Sequence, residues 1–122
     1  MLLNLSEKPS GKWEKKQYYE AIKQFGTVED IEFPVVPANA KLKEVLLLSK
    51  EFIALIEPKI RPNERTDAIH IAGELTFCFA LIYVLRLRGY QCITSTYQKE
   101  TKVRKDGKKI SRTKWISFRA FV

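Results

Sequence analysis

Apolar residues recur along this chain with two periods, and the changes of period mark out its elements. Leu2 to Leu5 is short and apolar, the pattern of a buried strand. Ser6 to Trp13 is polar and punctuated by Pro9 and Gly11, so it reads as a loop. From Glu14 to Phe25, Tyr18, Ile22 and Phe25 fall on one helical face, and Gly26 stands where a helix C-terminal glycine belongs. Thr27 to Phe33 carries Val28, Ile31 and Phe33 and predicts a second strand. Pro34 and Pro37 then forbid a helix through Val35 and Val36. Lys41 to Ile56 has Leu42, Val45, Leu46, Ser49, Phe52, Ile53 and Ile56 at helical spacing. Asp67 to Ala72 is a third strand, ended by Gly73. Glu74 to Arg88 is a third helix closed by Gly89, and it is apolar nearly all round, which predicts burial on more than one side. A dimer interface would account for part of that. Tyr90 to Tyr97 is a fourth strand, and Ile110 to Val122 a fifth with apolar side chains on both faces. The turn Lys105-Asp106-Gly107-Lys108 joins them as a hairpin.

Three strand–helix–strand units in succession require parallel strands with right-handed crossovers. The expected fold is a single domain over residues 1–122: α/β, three-layered and Rossmann-like, with a mostly parallel sheet ordered 2-1-3-4. A C-terminal antiparallel β-hairpin edges that sheet. In such a sheet the first and third strands flank the switch point, where ligands bind at the carboxyl ends of the strands. The two loops there are Ser6 to Trp13 and Gly73-Glu74-Leu75-Thr76.

Charge sharpens this picture. The chain has 122 residues and a net charge of +8. Lys99 to Lys114 holds eight basic residues and two acids, so +6 of that charge belongs to one late segment. Cys78 and Cys92 lie in apolar patterns and read as buried thiols of a reducing compartment. Two cysteines and one histidine make no zinc motif. No basic region precedes the first apolar residues, and no apolar run reaches the ~20 residues of a bilayer span. The expectation is a cytoplasmic protein with no membrane partner.

Ser10-Gly11-Lys12 invites comparison with a phosphate-binding P-loop, but Trp13 stands where that motif needs Ser or Thr, and the earlier glycine is missing. No Gly-x-Gly-x-x-Gly is present, which argues against a dinucleotide cofactor. Ser6, Lys8, Ser10 and Lys12 still suit an anion, since hydroxyls and helix N-terminal amides donate hydrogen bonds and ammonium groups neutralise charge. The competing role is a helix cap beside solvated lysines. Glu74 is either a cap or a carboxylate that orients a ribose hydroxyl or acts as a base. Gly73 would let a ligand approach the backbone. Thr94, Ser95 and Thr96 would form a third wall of the site, or simply reflect the β-propensity of threonine. His70, mid-strand, reads as a satisfied core or interface residue. The basic hairpin, 99–114, either tracks a nucleic-acid backbone or protects a sheet edge while steering a small polyanion.

These segments together resemble small CRISPR-linked proteins with one Rossmann-like domain of the CARF type, which include ring nucleases and sponges for cyclic oligoadenylates. The residues that carry the resemblance are Leu3-Asn4-Leu5-Ser6 with Pro9-Ser10 and Trp13, Asp30 to Pro34, His70 to Glu74 with Thr76 to Ala80, and Thr94-Ser95-Thr96 with the final hairpin. Glu7-Lys8 departs from an Asn-His pair after the first Ser of that pattern. The resemblance implies a homodimer that holds one two-fold-symmetric cyclic oligoadenylate, cyclic tetra-adenylate above all, across both crevices. It implies no cofactor and no metal. Cleavage would proceed by attack of a ribose 2′-hydroxyl on the adjacent phosphate. Lys8 and Glu74 would be the catalytic candidates. Ser6, Ser10, Lys12, Trp13, Gly73, Thr76, Thr94, Ser95 and Thr96 would bind the ligand. The alternatives are a sponge that binds without cleaving, an RNA- or DNA-binding module built on the basic hairpin, and a purely structural dimer or toxin–antitoxin-like partner.

Overall fold

The computed structural model describes residues 1–122. Its elements follow one another as β1 (Leu2–Ser6), α1 (Lys15–Phe25), β2 (Val28–Asp30), α2 (Leu42–Ile56), β3 (Ala68–Ala72), α3 (Leu75–Leu87), β4 (Cys92–Val103) and β5 (Lys109–Ala120). Short 3-10 turns at Ser10–Lys12 and Glu57–Lys59 bridge two of the connections. The sheet has five strands in the order β2-β1-β3-β4-β5. β1 to β4 are parallel and β5 is antiparallel to β4. The α/β class, the strand order and the closing hairpin agree with the sequence pattern.

Side-chain alternation divides the core into two layers. Leu3, Leu5, Ile69, Ile71 and Cys92 meet Val45, Ile53, Phe77, Leu81 and Leu85 of α2 and α3 on one face. Leu2, Ala68 and Ile93 meet Trp13, Ala21 and Phe25 of the α1 side on the other. The α1 layer is thinner and partly polar.

Five boundaries or faces depart from the sequence pattern. β2 is three residues long and stops at Asp30. Ile31 still donates its amide to the Asn4 carbonyl at 2.9 Å, but the chain then turns toward Pro34. The face of α1 that packs is Gln17, Ala21 and Phe25, whereas Tyr18 and Ile22 are exposed. The small Ala21 lets the helix sit close to the sheet, and the carbon stem of Gln17 is buried so that its amide can reach Ser95. α2 buries Val45, Ser49, Ile53 and Ile56 but leaves Leu42 and Leu46 exposed. α3, expected to be covered on more than one side, buries only one: Leu75, Phe79, Tyr83 and Leu87 form a stripe at intervals of four residues that stays between 59% and 78% exposed.

β4 runs to Val103, six residues past its predicted end at Tyr97. The ladder with β5 continues to Val103–Lys109 after a bulge at Thr96/Tyr97. Cross-strand pairing carries the hairpin well beyond the rest of the sheet.

Candidate functional site

The carboxyl ends of β1, β2 and β3 surround a crevice of about 860 Å³. Loop β1–α1 contributes Ser6, Glu7 and Pro9, the segment after β2 contributes Asp30 to Val36, and the start of α3 contributes Glu74. The third wall is therefore the β2 exit. Thr94, Ser95 and Thr96, expected there, lie on β4 outside the lining.

Beneath the crevice runs a chain of polar side chains on the α1 face of the sheet. Asn4 and His70 are register partners on adjacent strands, and alternation points both the same way. His70 Nδ1 lies 2.9 Å from Asn4 Oδ1, and His70 Nε2 lies 2.7 Å from Ser95 Oγ. Gln17 Nε2 donates to Ser95 Oγ at 3.2 Å. Asn4 Oδ1 can only accept, so Nδ1 carries the ring proton and Nε2 of the neutral imidazole accepts from the Ser95 hydroxyl, which in turn accepts from Gln17. The imidazole is thus neutral and doubly bonded, only 2% exposed, and desolvation pulls its pKa from 6.5 down to about 4. Trp13 packs edge-on against it, ring centroids 5.2 Å apart. His70 is a satisfied core residue, as its mid-strand place suggested.

The network reaches the crevice through Asn4 and Asp30. Asn4 Nδ2 donates to Asp30 Oδ1 at 2.8 Å and to the Lys8 carbonyl at 3.1 Å. Ser10 Oγ donates to Asp30 Oδ2 at 2.7 Å and its amide to Oδ1 at 3.1 Å. These bonds outweigh burial, which acts in the opposite direction, and hold the Asp30 carboxyl below the usual carboxylate range. Ser6 Oγ lies 2.8 Å from Asn4 Oδ1 and 2.9 Å from the Lys8 carbonyl, two acceptors within reach of its one proton. Trp13 Nε1 donates to that same carbonyl at 3.2 Å. The loop is folded around its own polar groups.

That geometry corrects several of the expected ligand contacts. Trp13 is 8% exposed and belongs to the core. Ser10 is engaged by Asp30 and Ser95 by His70 and Gln17. Thr96 Oγ1 sits 2.8 Å from Ser117 Oγ on β5, while Thr94 points to the α2–α3 face of the sheet. Gly73 has no room for a ligand: a Cβ there would lie 2.4 Å from the Phe33 ring. Glycine is required so that Phe33 can cross it and pack on Phe77, centroids 5.5 Å apart.

Glu74 caps α3. It accepts from the Phe77 amide at 2.8 Å, the Thr76 amide at 3.1 Å and the Thr76 hydroxyl at 2.8 Å. The Phe77 amide contributes most to holding its pKa below normal. A carboxylate so engaged is a weak proton acceptor. Thr76 likewise spends its hydroxyl on the cap.

Charge around the crevice is opposite to expectation. Glu7, Asp30, Glu32 and Glu74 line it, and no lysine or arginine does. Lys8 and Lys12 are exposed on the loop and stand outside that lining. The Glu7 and Glu32 carboxylates have no hydrogen-bond partner, which leaves them as free acceptors beside Pro34 and Val35. Sequence reasoning gave no site role to Asn4, Glu7, Asp30 or Glu32. Asn4 was visible as a polar residue inside an apolar strand, Glu7 as an acid in the first loop, and the other two only as acids in a segment read wholly as strand. The cysteines carry no chemistry here: both thiols are buried and free, and burial pushes each up to about 12.

An α/β domain with a mixed sheet and a polar crevice at its carboxyl edge is the class defined by these features. Residues 1–122 match the family described as "Uncharacterized protein MJ1673 family", and the chain belongs to that family. No curated protein and no solved structure matches it.

Proposed function

We propose that the domain is Rossmann-like, of the CARF kind, and that its crevice binds the nucleoside part of a cyclic oligoadenylate, cyclic tetra-adenylate first among them. The supporting observation is the position of the crevice: it lies at the switch point between β1 and β3, and carries two unpartnered carboxylates, Glu7 and Glu32. Carboxylates are poor hosts for phosphate but strong acceptors for ribose hydroxyls and the adenine amine. The phosphates of such a ring would fall to Lys8 and Lys12, which are exposed on the β1–α1 loop outside the crevice lining.

A ring with two-fold symmetry calls for two crevices and hence a homodimer. The exposed stripe of α3, with Leu42 and Leu46 of α2, supplies a surface for it. Phe79 and Tyr83 stack on that surface at 6.3 Å. Six side chains of this size offer on the order of 600 Å² of apolar area, against about 800 Å² per partner in a specific interface. Leu75 adjoins Glu74, so an interface that covers the stripe ends at the crevice mouth.

Two outcomes share this binding step. In one the ring is held intact. In the other a ribose 2′-oxygen attacks the adjacent phosphorus, the P–O5′ bond breaks, the 2′-hydroxyl proton leaves and O5′ gains one, which yields a 2′,3′-cyclic phosphate. Lys8 and Lys12 would stabilise the charge on the phosphoryl oxygens. Glu74, fully engaged as a cap, orients α3 in this scheme and does not move the proton. Incubation with cyclic tetra-adenylate in EDTA, followed by chromatography, separates the two outcomes. Glu32→Gln should weaken binding about tenfold, the value of one charge-assisted hydrogen bond. Unchanged affinity in both Glu32→Gln and Glu7→Gln would sink the crevice as the site.

A further inference from the structure

The β4–β5 hairpin does more than close the sheet. β3 pairs with β4 only at Ile69–Cys92 and His70–Ile93, yet the β4–β5 ladder runs on from there to Val103–Lys109. From Tyr97 to Val103 it projects roughly 20 Å past the carboxyl edge, at the rise of a strand. Every residue from Thr101 to Lys114 is exposed. Trp115 anchors the base: it is 1% exposed, packs against Phe118 with centroids 4.9 Å apart, and its amide donates to Glu14 at 2.6 Å.

A two-stranded ribbon is marginal in water by itself, and this one buries nothing beyond Trp115. Its eight cations repel one another, and only Arg112 has an ion-pair partner, Glu100 at 3.7 Å. Edge protection needs a few charges on a short strand, not a cationic arm of this reach. Register puts Lys102, Arg112 and Lys114 on one face, with Lys99 and Lys109 on the other. Arg104, Lys105 and Lys108 crowd the tip. Thr101, Ser111 and Thr113 add hydroxyls beside Lys99 and Lys109.

From this arrangement we infer that the ribbon is a docking arm for double-stranded DNA. Cations on both faces of a ribbon meet phosphates on both walls of a groove. The B-form major groove, about 12 Å wide, admits a two-stranded ribbon, whereas the major groove of A-form RNA is too narrow for side chains to read. Beyond Tyr97 the ribbon has no aromatic side chain until Trp115, so it offers no platform for stacking single-stranded bases. The inference is independent of the crevice ligand.

Fluorescence anisotropy of the full chain with a labelled 20-base-pair DNA duplex, read at 50 and 200 mM salt, is the test. About five phosphate contacts predict a few-hundred-fold loss of affinity over that range. Lys102→Glu, Lys105→Glu and Lys108→Glu combined should abolish binding. The equally charged control, Lys23→Glu, Lys41→Glu and Lys43→Glu, should retain most of it. All six substituted positions are exposed, and a melting curve of each variant reports its folding. Equal losses in the two variants, a flat salt response, tighter binding to single strands or to duplex RNA, or no binding to the duplex at 50 mM salt would each overturn the inference.

Discussion

His70 is the most constrained polar residue of this fold, and its constraint has a sign. In the unfolded chain it takes up a proton near pH 6.5, while burial holds it neutral in the folded chain down to about 4. Between those values the unfolded state binds more protons, so stability falls as pH falls. A displacement of that size corresponds to on the order of 3 kcal/mol. Urea unfolding at pH 7 and pH 4 should register this loss, and His70→Gln should remove most of it. Asp30, Asp67 and Glu74, all lowered in the folded state, begin to lose their contributions as pH falls through the ordinary carboxylate range near 4 and lose the rest below it. Asp67 owes its shift chiefly to Arg61, whose Nε donates to it at 3.0 Å. Equal pH dependence in native protein and His70→Gln would contradict this account. At this scale the sequence was partly legible. His70 stood out as a polar residue in an apolar strand, whereas Asn4 was passed over, and their partners Ser95 and Asp30 come from strands whose register no local pattern reveals.

Among elements, the turn from β3 into α3 is held by a close approach. Gly73→Ala should destabilise by about 1–3 kcal/mol, because the new methyl group meets the Phe33 ring. Phe33→Ala has its own cost from lost packing on Phe77, but the double variant should cost less than the sum of the two. Additive losses, measured by denaturant unfolding, would show that Phe33 is not the obstacle. The helices were legible because Gly26, Gly73 and Gly89 punctuate their ends and apolar spacing fills their middles. Their buried faces were less so. Tyr18 and Ile22 match a helical stripe as well as Gln17 and Ala21 do on spacing alone, and the choice is made by the close packing that Ala21 allows. β4 was read short because Gln98 to Lys102 is too polar to announce a strand; cross-strand hydrogen bonds, which single-strand patterns cannot express, carry it onward.

For the whole molecule, two surfaces remain to be matched with partners: the apolar stripe on α3 and the acidic crevice beside it. If the stripe pairs two copies, sedimentation should report a dimer at micromolar concentration, and Phe79→Glu should return it to a monomer with little change in melting temperature, since Phe79 is 67% exposed. A monomer in the native protein would remove the two-crevice arrangement. No helix is long and apolar enough to cross a membrane. The site was legible as a place but not as a charge. Strand order located the crevice from β1 and β3. Glu32 joins Glu7, Asp30 and Glu74 there because β2 ends at Asp30 and the chain beyond it lines the crevice. The measurement that bears most directly on the account is calorimetric titration of the protein with cyclic tetra-adenylate in EDTA, with the ring analysed afterwards. Binding should saturate at one ring per two chains and weaken in Glu32→Gln. No detectable heat with the ring recovered intact, or binding unaffected by both Glu7→Gln and Glu32→Gln, would contradict it.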